Sequence, residues 1–416
     1  VASSVTTSDV LGWRERFPAL TRTINGQPAV FFDGPAGTQV PRDVIDAMAN
    51  YLANYNANRG GLFATSQESD LLLREAHQAA ADFVGTSNPA EIAFGPNMTS
   101  LTLALSRALA RTWQPDDEIL VTRLDHDANV TPWVLAARDA GARIVHIELN
   151  RDDCTLDLDD LRSKISPRTR LVAVGCASNA VGTINPVAQI VELAHRVGAL
   201  VFLDAVHYAP HAPIDVGLWD CDFLACSAYK FFGPHLGILW GKRELLNCLP
   251  AYKVRPAPDT LPDRWMTGTQ SHEAIHATRA AIDYMAGLAG PDDAAADRRT
   301  ALLAAYERIA TYERELLVRL LDGLDHLSQI KVWGITDRAR LDERVPTLSI
   351  THRAKSPKQL ALALAEQGIF TWHGNFYALP LTEALGLEPN GLLRIGLVHY
   401  NTADEVDRLL NVLRRL

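Results

Sequence analysis

Apolar residues along this chain gather in short runs, set apart by longer amphipathic or alanine-rich stretches. The segments Glu91–Phe94, Ile119–Thr122, Arg143–Ile147, Leu171–Gly175, Leu200–Leu203, Phe223–Cys226 and Gly237–Trp240 have the length of strands. Glu68–Phe83, Thr99–Ala110 and Ala188–Val197 have the length and composition of helices. Alternation of this kind predicts an α/β fold, a mostly parallel seven-stranded sheet covered by helices. The proline-rich piece Val254–Pro262 breaks the pattern. Beyond it, Leu302, Leu303, Tyr306, Ile309, Tyr312, Leu316, Leu320 and Leu324 recur at helical spacing within Asp292–Leu327, which predicts one long linking helix. Thr347–Ile350 and Leu392–Leu397, on either side of a helix near Lys358–Gln367, are the expected strands of a small α+β domain. The expected division is therefore an N-terminal segment over 1–30 packing with the small domain, a large domain over 31–290 and a small C-terminal domain over 291–416.

Composition narrows the class without fixing it. With 416 residues, 47% of them hydrophobic, the chain can bury a sizeable core and is expected to divide into domains. No stretch approaches the ~20 apolar residues of a membrane span, and the opening Val1–Asp9 has no basic segment followed by an apolar one, so no secretory signal is expected. A formal net charge of −9 argues against nucleic acid or an anionic membrane as the main partner. The five cysteines, Cys154, Cys176, Cys221, Cys226 and Cys248, lie mostly in apolar runs and read as reduced thiols of a cytoplasmic protein.

The chemistry centres on Lys230. The run Phe223–Cys226 leads into Ser227-Ala228-Tyr229-Lys230, a Ser-x-x-Lys turn. A lysine at the end of a buried strand is a candidate Schiff-base amine, because desolvation lowers its pKa and leaves a nucleophile for an aldehyde. Upstream, Val201-Phe202-Leu203-Asp204 is a second apolar run ending in a carboxylate. An acid to keep a pyridine nitrogen protonated and an amine to carry the aldehyde are what pyridoxal 5'-phosphate requires. Gly95-Pro96-Asn97-Met98-Thr99 follows a strand and opens a helix, so its backbone N–H groups favour a phosphate.

These residues stand beside further landmarks in order: Phe32-Asp33-Gly34-Pro35-Ala36-Gly37, Asp125-His126-Asp127-Ala128-Asn129, Ser178-Asn179-Ala180-Val181-Gly182-Thr183, Gly268-Thr269, and Arg394 with His399-Tyr400-Asn401-Thr402. From Phe31 to about Thr402 the chain resembles the fold-type I pyridoxal-phosphate enzymes of aminotransferase class V, most closely the cysteine desulfurase and selenocysteine lyase branch. The resemblance implies a homodimer with a shared active site and an amino-acid substrate. It implies that Lys230, His126 and Asp204 are catalytic, with His126 over the pyridine ring. Asn97, Met98, Thr99 and Ser227 would hold the phosphate, together with Thr269 reaching in from the other subunit. Asn179 would donate to the phenolic oxygen, and His207 and Tyr229 would complete the cofactor shell. Arg394 would grip the substrate α-carboxylate through two parallel hydrogen bonds, with Asn179 and Tyr377 near the substrate.

The departures bear on the reaction. A persulfide-forming desulfurase needs a cysteine on a loop of the small domain, yet no cysteine follows Cys248, and Tyr377 in Gly374–Leu381 takes that position. His207 stands where Gln is common, and Tyr229 where His usually precedes the lysine. Trp372 and Phe376 make the loop aromatic. The expected function is action on the α-amine of an amino acid through Lys230, with transamination ahead of C–S or C–Se lysis without a persulfide, then epimerisation. His272-Glu273-Ala274-Ile275-His276 matches the H-E-x-x-H zinc motif and keeps a zinc hydrolase as the remote alternative. The block follows the Gly268-Thr269 segment, so no metal is expected there.

Overall fold

A computed structural model describes residues 5–290 and 297–416. The expected seven strands are present as β1 (Ile92–Gly95), β2 (Glu118–Thr122), β3 (Arg143–Ile147), β4 (Thr169–Gly175), β5 (Leu200–Asp204), β6 (Phe223–Ser227) and β7 (Gly237–Gly241). They form one sheet in the order β1-β7-β6-β5-β4-β2-β3. All neighbours are parallel except β7, which runs antiparallel to both β6 and β1. Most of these strands are largely apolar on both faces, and β1, β2, β6 and β7 are buried along their whole length, which is the pattern a sheet covered on two sides demands.

Register brings the chemistry to one edge. Gly175 of β4 pairs with Asp204 of β5, and Asp204 pairs with Ala225 of β6. Gly237 of β7 faces both Ser227 and Gly95, so the carboxyl ends of β1 and β6 lie close together. A side chain at Gly237 would put its Cβ 2.4 Å from the backbone carbon of Asn97, so only glycine lets that backbone approach. In open α/β sheets this carboxyl edge is where ligands bind.

Helices α1 (Thr7–Glu15), α2 (Ala64–Val84), α3 (Met98–Ala110), α4 (His272–Ala286) and α5 (Arg298–Asp325) come next in chain order among those that matter here. Residues Asp292–Ala296 of the expected long helix lie outside the described residues. Helix α5 contributes Leu302, Tyr306 and Ile309 to the core around the large sheet, then Leu316, Leu320 and Leu324 to a second core. Leu303 departs from the expected buried stripe and is 39% exposed, because it sits a quarter-turn away from Leu302.

That second core lies against a four-stranded antiparallel sheet in the order β8 (Ile330–Trp333), β9 (Thr347–His352), β11 (Leu392–Gly396), β10 (Trp372–Gly374). In this sheet Arg394 is flanked by Ser349 and Trp372. The N-terminal segment meets both regions. Val30–Phe31 pairs with Ile369–Phe370, and Arg14 forms an ion pair with Glu405 at 2.9 Å, while Trp13 and Phe17 enter the large core. Among the described residues no helix is long and apolar enough to cross a membrane.

Candidate active site

The carboxyl edge of the large sheet opens into a cavity lined by Asn97, Met98, Thr99, His126, Asn179, Asp204, His207, Ser227, Tyr229 and Lys230. These residues come from five separate stretches of sequence, and every one is a residue expected at the cofactor. The same wall includes Asp125, Gly175, Ala177 and Val206, to which the sequence reading gave no role.

Lys230 ends the short turn Ala228–Lys230 that follows β6. Its Nζ donates to the carbonyl of Ala36 at 3.1 Å and to that of Pro35, on the loop after Asp33. Burial, helped by the charge of Arg394 and opposed by Asp204, brings its pKa down to about 7. An amine so placed is partly unprotonated near neutrality and can attack an aldehyde. Asp204 is 7% exposed, and burial raises its pKa to about 6 against the pull of the Val206 N–H at 2.8 Å and of Lys230.

Asp125 is the main residue that sequence reasoning passed over. Both its oxygens accept from the N–H of Gly175, at 2.9 and 3.0 Å, and Oδ2 accepts from Asn129 at 2.9 Å. Burial lifts its pKa to about 7, and the nearby Asp204 charge adds to the rise. Gly175 is required here, since a Cβ on it would lie 2.9 Å from Asp125 Oδ1. The one available signal was its place beside His126. His126 Nδ1 accepts from the Ala128 N–H at 3.0 Å, and burial together with Lys230 and Arg394 drops its pKa to about 4. It is a neutral ring, suited to lie over another ring.

At the head of α3, Asn97 caps the helix by accepting from the Ser100 N–H at 2.9 Å, and Ser227 Oγ accepts from the Met98 N–H at 3.0 Å. A helix N-terminus with a hydroxyl beside it is a ready phosphate cradle. Asn179 Nδ2 donates to the Phe376 carbonyl at 2.9 Å, and its buried Oδ1 has no hydrogen-bond partner among the described residues. A buried amine, two buried carboxylates, an unpartnered amide oxygen and a helix N-terminus form the set of polar groups that pyridoxal phosphate would use, so the residues present fit that cofactor.

Three expected residues stand outside the cavity wall. Arg394 is 4% exposed, donates to the Asn179 carbonyl at 2.8 Å and lies over the Phe376 ring at 4.3 Å. Burial lowers its pKa to about 9, with Asp33 pulling the other way. Tyr377 stacks on His126 with ring centroids 5.5 Å apart and is 72% exposed. Thr269 is exposed and lines a different cleft with Arg59, Asp263 and Gln270.

The class-V aminotransferase family profile matches residues 30–409. This chain belongs to the class-V aminotransferase family. Members of this family depend on pyridoxal phosphate, and so does this enzyme. A probable cysteine desulfurase of Mycolicibacterium paratuberculosis is 32% identical over 98% of the chain, which spans 58% of that protein. An aminotransferase-like protein of Gibberella zeae is 33% identical, with 95% of the chain and 96% of that protein covered. The apo structure of a cysteine desulfurase from Thermococcus onnurineus superposes with a TM-score of 0.86 at 27% identity, covering 100% of the chain and 99% of the other.

Within this class-V fold the H-E-x-x-H block forms the start of α4. His272 and His276 face Tyr51, with ring centroids 6.4 and 6.0 Å from it, and His272 Nδ1 lies 3.3 Å from the Ala57 carbonyl. Among the described residues no group of three or more His, Cys, Asp or Glu side chains could hold a metal ion.

Proposed function

We propose that the enzyme acts on the α-amine of an amino acid, by transamination, at the site built around Lys230. The carrying observation is the single cavity that joins Lys230, its pKa lowered to about 7, with Asp204 and the head of α3. When bound, pyridoxal phosphate supplies an aldehyde for amines and a ring that takes up the charge left by a broken α-carbon bond. Lys230 Nζ would hold the cofactor, then receive and return the α-proton. Asp204 would keep the pyridine nitrogen protonated, and His126 would cover one face of the ring. Asn97, Met98, Thr99 and Ser227 would anchor the phosphate. Arg394 would pair with the α-carboxylate, which sets the bond on the α-carbon that stands perpendicular to the ring.

Tyr377 argues against ordinary cysteine desulfuration. A phenol cannot accept sulfur as a persulfide, and the backbone here is tied down. Asn179 Nδ2 donates to the Phe376 carbonyl at 2.9 Å, and the Asp127 N–H donates to the Tyr377 carbonyl at 2.6 Å. The desulfurase relatives keep a second reading open, lysis of a C–S or C–Se bond whose leaving group departs without a protein thiol. We also infer a homodimer, in which Thr269 serves the partner's phosphate site, and a cytoplasmic setting in which the free cysteines stay reduced.

A visible-spectrum titration of the holoenzyme with amino acids including cysteine, cysteine sulfinate and selenocysteine tests this reading. Stable conversion to the pyridoxamine form by one amino acid supports transamination. Return of the original band with release of sulfide, sulfite or selenide would replace it with lysis.

A further inference from the structure

Behind His207 lies a buried polar arrangement that the chemistry above does not use. His211 Nδ1 and Glu313 Oε2 are 2.8 Å apart, and the two side chains are only 3% and 2% exposed. The His211 ring meets the His207 ring edge-on, with centroids 5.5 Å apart at 75°. His207 Nε2 lies 3.1 Å from Thr347 Oγ1, which leaves Nδ1 as the ring nitrogen available to an occupant of the cavity that His207 lines. Glu313 belongs to the linking helix α5, Thr347 to β9 of the small sheet, and both histidines to the segment after β5.

Burying a histidine and a carboxylate together is a weak way to gain stability, because desolvation offsets most of the attraction. Two apolar residues would fill the space at less cost. The pair therefore calls for another reason, and the chemistry of position 207 supplies one. An amide can donate a hydrogen bond without ever titrating. An imidazole has two tautomers and a titratable proton, so using one as a fixed donor requires that its orientation be imposed from outside. A carboxylate only accepts, so Glu313 accepts a hydrogen bond from the Nδ1–H of His211 and fixes that ring. The edge-on contact then limits how the His207 ring can turn, while Thr347 Oγ1 holds its Nε2.

We propose that Glu313 and His211 are positioning residues that hold the plane of the His207 imidazole, so that its Nδ1–H serves as a hydrogen-bond donor to the bound cofactor. This rests on the pyridoxal phosphate reading of the site. Burial first, and then the neighbouring titratable and charged groups His211, Arg394 and Lys230, hold the His207 pKa well below the ordinary range, so it stays uncharged. Glu313 faces His211 and the backbone of His399. Glutamine at 313 keeps the volume of the carboxylate but can turn an NH2 toward His211, which loosens the His211 ring and with it the His207 ring packed against it.

The test is a double-mutant cycle on the holoenzyme, Glu313→Gln with and without His207→Gln, read by the pH midpoint of the visible band and by the cofactor Kd. An N–H donor stabilises the deprotonated chromophore. Loosening it in the His207 protein is expected to raise the midpoint by about one unit and to weaken cofactor binding about tenfold. In the His207→Gln background the same Glu313→Gln change is expected to move neither quantity. His211→Gln serves as the second variant if Glu313→Gln fails to fold, with the same expected pattern. Equal shifts in both backgrounds, or no shift beside His207, would overturn the proposal. A parent protein with no visible band after addition of pyridoxal phosphate would overturn the cofactor reading itself, and this proposal with it.

Discussion

Arg394 shows what a single residue can be asked to do here. Its guanidinium is buried, held by the Asn179 carbonyl and the Phe376 ring, and influenced by Asp33 without a direct ion pair among the described contacts. A ligand carboxylate would give it the full counter-charge. Arg394→Ala is expected to raise the KM for the amino acid about 10- to 100-fold, the worth of hydrogen bonds between charged groups, while the visible band of bound cofactor persists. Loss of the band would assign Arg394 to the cofactor instead. Residues such as Lys230, Asp204 and Asn97 were legible from sequence because each sits at a strand or helix end, where an apolar run stops at a polar group. Asp125 was not, because its importance comes from the Gly175 N–H on a strand fifty positions away and from its closeness to Asp204. His211 and Glu313 were invisible for the same reason, being 102 positions apart.

At the scale of elements, the turn through Ser178–Thr183 does more than connect. Ser178 receives the Gly182 N–H through its carbonyl at 2.9 Å, and the turn carries Asn179 to the site and Ala180 to Ser349. Gly182 has φ +81°, and a Cβ there would stand 2.3 Å from the Thr347 carbonyl oxygen. Gly182→Ala combines a left-handed backbone cost of about 1–2 kcal/mol with a backbone clash. We expect a fall of several degrees in Tm, measured by differential scanning calorimetry, together with weaker amino-acid binding as Asn179 moves; an unchanged Tm would show that the turn gives way freely. Strand positions were read from sequence to within a residue or two because buried parallel strands are apolar throughout. The short β10 and the paired left-handed residues Phe376 and Tyr377, with φ +56° and +58°, had no such signal, since contacts with Asn179, Asp127 and Arg394 impose them.

Across the whole molecule, two cores share one helix, and the site lies where their sheets come together. His207, on the segment after β5 of the large sheet, meets Thr347 of the small sheet, so the small sheet helps to fix one side chain of the cavity wall. The alternation of apolar runs gave away the architecture, while the reaction type depends on a loop and on spatial neighbours that periodicity does not encode. The account stands on one bond above all, that between Lys230 and the cofactor. The most direct measurement is borohydride reduction of the purified holoenzyme followed by peptide mapping. The account predicts that the label falls on the peptide carrying Lys230 and that Lys230→Ala loses it. A label on another lysine, or retention of the label in Lys230→Ala, would contradict it.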